Sequence, residues 1–294
     1  MKVAVIGAGA IGNIVAGYLK LKNEAVGLIG RASTIAAIKK NGLRISGVRG
    51  EYTLNPEVQE CLTEKPDLVI LAVKTQDLEQ TIKDNLPYLE GVGLLTTQNG
   101  VEADKITTRY FPYGNLISSI IMFGATYLEE GKVVHNFEGG WIIGRLKKTE
   151  NDIYLNEVQQ ILNHIFPTTI TDDIWGMKYL KIFLNANNCI PAILGISMQE
   201  AFSDHRISQI SIAIWKEGLK IVNTSGISLA SLPDFPLERL TGLTQLPLEQ
   251  AAQIFSGIMV NLSKEPLYGS ILQSIKRGRS SEIDFINGEF VKLA

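Results

Sequence analysis

Short apolar runs alternate with amphipathic stretches in the first part of the chain. The runs are rich in Val, Ile and Leu, which is typical of strands buried on both faces. They predict strands at 2–6, 25–29, 67–73 and 93–97. The amphipathic stretches predict helices at 12–21, at 33–40, from Asp77 and from Val101. Strands that alternate with helices in this way form a parallel sheet covered on both faces.

The pattern changes after Asn115. Further strands are predicted at 116–123, 132–136 and 141–144, a hairpin at 43–54 and a helix at 151–166. From Asp172 onward the periodicity is helical, interrupted by a proline-containing loop at 229–248. We therefore predict an α/β fold with a boundary near Thr168 to Thr171. Residues 1–169 form a Rossmann-type, doubly wound parallel sheet, and residues 170–294 form an all-α domain.

Composition narrows the class of protein. Charged residues make up 20 % of the 294 residues and the formal net charge is −2. Lysine and arginine are dispersed, which argues against binding to nucleic acid or to an anionic membrane. No apolar stretch reaches the length of about 20 residues that spans a bilayer, and no signal peptide is recognisable. The two cysteines, Cys61 and Cys189, are typical of reduced thiols, so we expect a cytoplasmic protein.

A glycine-rich loop joins the first predicted strand to the first predicted helix. Residues 7–12 read GAGAIG, which is the GxGxxG pattern of dinucleotide-binding loops. In this pattern Gly7 permits a tight turn, Gly9 lets the backbone approach a pyrophosphate, and Gly12 lets helix and strand pack closely. The N–H groups at the start of the helix, at Ala10 and Ile11, are then available to phosphate oxygens.

The end of the second predicted strand indicates which dinucleotide binds. An acidic residue about 20 positions after the glycines would select NAD by binding the ribose 2′-hydroxyl. This chain has Arg31 there instead, and a guanidinium pairs well with a 2′-phosphate, so NADPH is favoured. A solvated surface arginine is the alternative. Lys74 follows another predicted strand and is a second candidate phosphate ligand.

A narrow polar stripe crosses a largely apolar helix at 175–191. Lys178, Lys181, Asn185 and Asn188 are spaced by 3, 4 and 3 residues, which places them on one helix face. Buried polar groups are costly unless they are paired or line a wet cavity. The stripe is therefore either the wall of a cleft or a face exposed to solvent, and the spacing favours neither.

A second polar cluster lies at 269–288. Its carboxylates Glu282 and Asp284 alternate with Ile283 and Phe285. They are either cleft groups or surface carboxylates, and the spacing favours the surface.

Together these motifs resemble the ketopantoate reductases, the NADPH-dependent enzymes of pantothenate synthesis. The resemblance covers most of the chain. It rests on GAGAIG at 7–12, Arg31, VKTxD at 73–77, QNG at 98–100, KxxxN at 181–185 and the SILQ…SSEIDFING block at 270–288. It implies reduction of ketopantoate, a small 2-oxo acid, to pantoate, with NADPH as cofactor and no metal. In keeping with this, His135, His164 and His205 have no metal-ligand spacing.

The resemblance also implies roles for single residues. Lys181 is similar to the family's general acid, and it is preferred to its rival Lys178 because an asparagine follows Lys181 four residues later. Glu282 is implied as the carboxylate that holds this lysine. A positioned ammonium would stabilise the oxyanion that hydride transfer creates and would donate a proton to it.

Three further residues are implied as ligands. Asn185 resembles a hydrogen-bond donor to the substrate, and Ser270 a donor to the substrate carboxylate. Asn99 resembles the residue between nicotinamide and substrate, where Gln98 is a weaker candidate.

The chain departs from the family pattern at Cys189, where a second asparagine is usual, with Asn188 beside it. It also ends soon after FING, and its loop at 229–248 is rich in proline. These departures keep two alternatives open. One is an NADPH-dependent reductase of another branched 2-oxo acid, and the other is a non-catalytic NADPH-binding sensor. A homodimer formed through an apolar face of the helical domain is also left open.

Overall fold

The computed structural model describes residues 1–148, 150–262 and 266–294. The chain divides into two compact units, Met1–Ile174 and Trp175–Ala294. The first unit is built on β-sheet and the second is helical, as the sequence predicts, except that the predicted loop at 229–248 contains a helix at Leu237–Gln245. The assignment of cofactor binding to residues 1–169 and of substrate binding to residues 170–294 stays a prediction.

The elements of the first unit follow the predicted alternation. Its strands are β1 (Val3–Ile6), β2 (Val26–Ile29), β3 (Leu43–Gly47), β4 (Tyr52–Leu54), β5 (Glu57–Gln59), β6 (Leu68–Leu71), β7 (Gly93–Thr96), β8 (Leu116–Ile121), β9 (Gly124–Glu129), β10 (Lys132–Phe137), β11 (Trp141–Gly144) and β12 (Thr168–Ile170). Its helices are α1 (Ala10–Leu21), α2 (Ala32–Asn41), α3 (Thr75–Leu89), α4 (Glu102–Tyr110) and α5 (Ile153–Asn163), with a 3₁₀ turn at Tyr113–Asn115.

The main sheet has the strand order β12-β11-β8-β7-β6-β1-β2-β5. Its central strand β1 pairs in parallel with β2 and with β6. Successive strand residues point to opposite faces, so β1 contributes to two apolar cores. Val3 and Val5 lie in the core that α1 and α5 cover, and Ala4 and Ile6 lie in the core that α3 and α4 cover. Because both faces are covered, this run is apolar throughout instead of alternating.

One edge of the sheet differs from the prediction. Strand β11 runs antiparallel to β8, because the connection between them is the β9–β10 hairpin and contains no crossover helix. Strands β5, β9 and β12 were not predicted. They have three to six residues each, and β9 is only partly buried, so their hydrophobic patterns are weak.

A second, four-stranded sheet has the order β4-β3-β10-β9. The predicted hairpin at 43–54 is confirmed as the antiparallel pair β3–β4. Strand β3 also pairs in parallel with β10, which comes from a distant part of the chain. Tyr18 and His135 lie in the buried core beside this sheet, with 3.0 Å between the Tyr18 hydroxyl and His135 Nδ1.

The second unit is a group of helices. They are α6 (Ile174–Ala186, which begins at the last residue of the first unit), α7 (Cys189–Leu194), α8 (Met198–Phe202), α9 (His205–Thr224), α10 (Leu237–Gln245), α11 (Leu248–Val260), α12 (Ser270–Lys276) and α13 (Asn287–Leu293), with a 3₁₀ turn at Ile283–Phe285. Trp215 of α9 packs edge-on against Phe255 of α11 and donates its indole N–H to the Phe183 carbonyl of α6 at 2.8 Å. Among the helices described here, none combines the length and apolar character needed to cross a bilayer.

Candidate active site

The glycine-rich loop has the geometry that the motif predicts. Gly7 has φ +117°, and a Cβ there would lie 2.5 Å from the Val73 backbone nitrogen, so only glycine fits. A Cβ at Gly12 would overlap the Gly7 carbonyl oxygen. Gly9 is different, because a Cβ there would meet no protein atom within 4 Å. The structure of the loop therefore requires glycine at 7 and 12, while the space in front of Gly9 is open to a ligand.

Asn13 stabilises this loop by a hydrogen bond, a role that the sequence did not predict. Its side chain is fully buried in the first turn of α1, and Nδ2 donates to the Ala8 carbonyl at 3.2 Å. The signal in the sequence was a single polar residue in an otherwise apolar stretch of helix. The hydrogen bond holds the loop backbone ahead of the N–H groups of Ala10 and Ile11.

Arg31 and Lys74 lie on either side of the glycine loop. Arg31 lies between β2 and α2, and Lys74 lies between β6 and α3. The strands β2 and β6 are the two neighbours of β1 in the sheet. The Arg31 guanidinium is 3.7 Å from the Asp77 carboxylate, and both side chains are at least half exposed. An exposed ion pair of this kind contributes little, so Arg31 can exchange Asp77 for another anion at small cost.

The QNG segment follows β7. Gln98 is buried, and both N–H groups of its side-chain amide are used, since Nε2 donates to the carbonyls of Leu71 at 2.9 Å and Val73 at 2.7 Å. Gln98 therefore ties this segment to the end of β6. Asn99, the next residue, is half-buried, and Gly100 has φ +79°. The geometry gives Gln98 a positioning role and leaves the ligand role to Asn99 as a prediction.

Helix α6 carries Lys178, Lys181 and Asn185 of the predicted polar stripe, but it ends at Ala186, so the predicted helix at 175–191 is interrupted and Asn188 lies beyond α6. Lys178 is only 2 % exposed, and Lys181 and Asn185 are half-buried, so the alternative of a fully solvated face does not hold for this helix. Burial, followed by the positive charge of Lys178, lowers the pKa of Lys181 to about 7. An amine with this pKa changes protonation state near neutral pH and can give or take a proton there.

The first turn of α13, which includes the end of the FING segment, anchors α6. Tyr179 donates its hydroxyl hydrogen to Glu289 Oε1 at 2.8 Å in the buried core. Asn287 Nδ2 donates to the Ala186 carbonyl at 3.1 Å and lies 3.7 Å from Cys189 Sγ. Sequence reasoning gave Asn287 no role, because nothing in the sequence indicates that it reaches a helix end a hundred residues earlier.

The remaining predicted ligands belong to the second unit. Ser270 is exposed and is the first residue of α12. Gly269 before it is buried against the side chain of Asn188, which follows the end of α6. Glu282 is half-buried at the start of the 3₁₀ turn. Its predicted contact with Lys181 stays a prediction, as do the ligand roles of Asn185 and Ser270.

A Rossmann-type sheet with a GxGxxG loop, followed by a helical unit that carries a buried lysine, defines a dinucleotide-dependent oxidoreductase. The family model described as ketopantoate reductase PanE/ApbA matches residues 3–148, and the model for the C-terminal part of the same family matches residues 173–294. The chain belongs to the ketopantoate reductase PanE/ApbA family, and the predicted resemblance is confirmed.

Relatives of known name match over the whole chain. A 2-dehydropantoate 2-reductase of Pyrococcus horikoshii is 31 % identical over 296 residues, covering 100 % of this chain and 91 % of the relative. Among solved structures, D-mandelate dehydrogenase with NADH and anilino(oxo)acetate has a TM-score of 0.85 at 22 % identity and covers 100 % of this chain and 91 % of its own. The 2-dehydropantoate 2-reductase of Geobacter metallireducens has a TM-score of 0.83 at 20 % identity, covering 100 % and 93 %. The two structures support the fold.

Proposed function

We propose that this protein reduces 2-dehydropantoate, also called ketopantoate, to pantoate with NADPH, as a step of pantothenate and coenzyme A synthesis. The observation that carries the proposal is Lys181, a lysine on a buried helix face whose pKa is lowered to about 7. The full-length similarity to a 2-dehydropantoate 2-reductase supports the choice of substrate.

The first unit fits a dinucleotide. The open space at Gly9 and the backbone N–H groups at the start of α1 suit a pyrophosphate, and the exposed Arg31 with Lys74 suits a 2′-phosphate. These residues favour NADPH over NADH because the place of the usual acidic ribose ligand is taken by an arginine. When bound, NADPH supplies the hydride.

Lys181 acts as the general acid in this proposal. Addition of hydride to the ketone carbon moves the carbonyl electron pair onto oxygen, and the Lys181 ammonium stabilises that charge and transfers a proton to it. The products are the hydroxyl of the 2-hydroxy acid and a neutral amine, which takes a proton back from water. Groups in this role contribute about 10²–10⁴-fold to the rate.

In this proposal neutral hydrogen-bond donors orient the substrate, and Glu282 contacts the lysine. Asn185 lies four residues after Lys181, hence on the same face of α6, and suits hydrogen bonding to the substrate. Ser270 is exposed at the start of α12 and suits the carboxylate, and Asn99 suits the region where nicotinamide and substrate meet. A contact of Glu282 with the Lys181 ammonium would favour its charged form and offset part of the burial.

Cys189 favours a second candidate, a reductase of another branched 2-oxo acid. The thiol is buried, burial raises its pKa, and it is therefore neutral. A neutral thiol is a weaker hydrogen-bond donor than the amide usual in the family at this position. A less polar substrate side chain would suit it better.

The test is to mix the purified protein with NADPH and a panel of 2-oxo acids and to follow the loss of NADPH absorbance. The panel comprises ketopantoate, 2-oxoisovalerate and 2-oxobutyrate. A kcat/KM at least about tenfold higher for ketopantoate supports the proposal. A preference for 2-oxoisovalerate supports the second candidate, and no turnover with any acid contradicts both.

Cellular location and assembly are part of the same proposal. Both cysteines are free thiols, in agreement with a cytoplasmic enzyme.

Ile254 and Ile258 of α11 are exposed on one helix face, and no charged residue occurs between 250 and 262. This face suits pairing of two copies. Light scattering coupled to gel filtration should give the mass of a dimer, and Ile258→Glu should give that of a monomer.

A further inference from the structure

Asn187 is a buried amide whose hydrogen-bonding groups are not used within the protein. The side chain is 3 % exposed, and neither Nδ2 nor Oδ1 has a hydrogen-bond partner among the described residues. Burying an amide without partners is costly, so such groups nearly always bind something. Asn187 follows α6 directly and lies between Asn185 and Cys189.

Ser211 is a second such group in the same unit. It lies on α9, is fully buried, and its Oγ also has no partner among the described residues. Ser208, one turn earlier on the same helix, is equally buried, but its Oγ donates to the Phe202 carbonyl at 3.0 Å. A buried serine on α9 can thus be satisfied by the helices, and Ser211 is the exception.

Two contacts show how α6 and α9 run past each other. The indole N–H of Trp215 reaches the Phe183 carbonyl, while Gly218 lies against the Phe183 ring. Helix carbonyls point toward the C-terminus and side chains lean toward the N-terminus. Trp215 therefore lies nearer the C-terminal end of α6 than Gly218 does. Since Trp215 comes before Gly218 in α9, the two helices are antiparallel where they meet.

This direction brings Asn187 and Ser211 to the same level. Asn187 lies four residues after Phe183, and Ser211 lies four residues before Trp215, so each is one turn further along the contact. The backbone makes a tight turn at this point, because the Asn188 N–H bonds to the Asn185 carbonyl and the Ile190 N–H to the Asn187 carbonyl, each three residues earlier, so Asn187 stays close to the end of α6.

We propose that Asn187 and Ser211 form a buried site for one ordered water molecule, which bridges the Asn187 amide to the Ser211 hydroxyl. Both groups are neutral and each can donate and accept, which suits water and gives a charged ligand no counter-charge. A buried water needs two to four polar partners, and the two side chains supply them between α6 and α9.

The site also positions substrate groups, and this part rests on the proposed function. Asn187 lies in the turn between Asn185, a predicted substrate donor, and Asn188, whose side chain packs against Gly269 next to Ser270. A water that fixes this turn to the long helix α9 would hold both predicted substrate groups in place. Asn187 is therefore a positioning residue.

A crystal structure of the full-length protein tests the site directly. We expect a water peak within about 3.2 Å of both the Asn187 amide and the Ser211 hydroxyl. A direct hydrogen bond between the two side chains, or no water between them, would overturn the proposal.

Thermal unfolding tests it in solution with Asn187→Leu, Ser211→Ala and the double variant. Each single change leaves the other end of the bridge poorly bonded, so we expect Tm to fall by roughly 2–5 °C for each. The double variant should lose clearly less than the sum, because both ends are removed together. Ser208→Ala is the matched control, and its effect should add to that of Asn187→Leu. Additive effects for Ser211→Ala, or a Tm raised by Asn187→Leu, would overturn the water site.

Steady-state kinetics test the positioning role. Asn187→Leu should raise KM for the 2-oxo acid at least about fivefold and leave KM for NADPH within twofold, a division that general destabilisation would not produce. Equal changes in both constants would overturn the positioning role. If the wild-type protein reduces no 2-oxo acid, the proposed function fails, and the thermal cycle still decides whether the water site exists.

Discussion

Two lysines three residues apart place like charges on one face of α6. Lys178 is buried in this helix, where an apolar side chain of similar size would pack without the cost of desolvating a charge. Its charge acts on Lys181, because a positive charge at this spacing disfavours the ionised form of the Lys181 amine. Burial is the larger cause of the lowered pKa of Lys181, and the charge of Lys178 adds to it; in the proposed reaction the two together bring Lys181 close to the pKa at which an acid works best near neutral pH.

The pH dependence of turnover should follow Lys181. Only the protonated amine can donate, so kcat for reduction should fall as pH rises through about 7, and kcat for the reverse oxidation should rise over the same range. Lys181→Met should lower kcat by at least about 10²-fold. A pH profile for reduction that is flat from pH 6 to 9 would contradict this role.

Lys178 should control the pH at which kcat for reduction falls. Lys178→Met removes the neighbouring positive charge, so the alkaline fall of kcat should move up by about one pH unit, and Lys178→Arg should leave it in place. Lys220→Met, on the exposed side of α9, serves as control. If Lys178→Met abolished activity and Lys181→Met did not, Lys178 would be the acid.

Arg31 should decide between the two nicotinamide cofactors. Its pair with Asp77 is exposed and weak, so the guanidinium is available to a 2′-phosphate. Arg31→Ala should raise Kd for NADPH by about 10–100-fold and change Kd for NADH less than threefold. Titration of protein fluorescence measures both constants, with Lys39→Ala at the other end of α2 as control. Equal weakening of the two cofactors would remove the 2′-phosphate assignment.

At the scale of elements, the loop between β1 and α1 contains two kinds of glycine. The fold requires Gly7 and Gly12, whereas Gly9 is expected to matter for ligand binding. Gly12→Ala should lower Tm by more than about 5 °C, because the added methyl overlaps the Gly7 carbonyl. Gly9→Ala should leave Tm within about 2 °C and raise Kd for NADPH at least about tenfold, because its methyl projects into open space. A Gly9→Ala protein with full cofactor affinity would show that the pyrophosphate does not bind there.

The same elements show what the sequence could and could not predict. Long apolar runs such as residues 67–73 are predictable because both faces are buried, whereas β5 and β9 are short or half-exposed and follow no clear pattern. The GxGxxG loop is predictable because its glycines have steric reasons at fixed spacing. The roles of Gln98 and Asn287 are not, because each bonds to a carbonyl that only the tertiary fold brings near.

For the whole molecule, the buried pair of Tyr18 and His135 should limit stability in acid. Burial is the main cause that lowers the pKa of His135 in the folded state, with Arg49 acting in the same direction and Glu138 against it. The unfolded chain, with a histidine pKa near 6.5, therefore takes up protons first. The contribution of His135 is complete above about pH 6.5 and is lost as pH falls below that value.

We therefore expect Tm to fall by a few degrees between about pH 6.5 and pH 5 in the wild type and to fall less in His135→Gln. His164→Gln is the matched control, because His164 is exposed beside Glu24. Parallel pH profiles of the wild type and His135→Gln would contradict the assignment.

The central place of β1 has a consequence for biosynthesis. Strand β1 is synthesised before β2 and β6, the two strands between which it lies in the sheet, and the Ile6 carbonyl accepts its hydrogen bond from the Ala72 N–H. The turn at Gly7 rests against the Ala72–Val73 backbone. Because translation adds about 5–20 residues per second, the Ala72–Val73 segment is synthesised several seconds after the glycine-rich loop. Until then a nascent chain has the motif but not the surface against which its turn is formed.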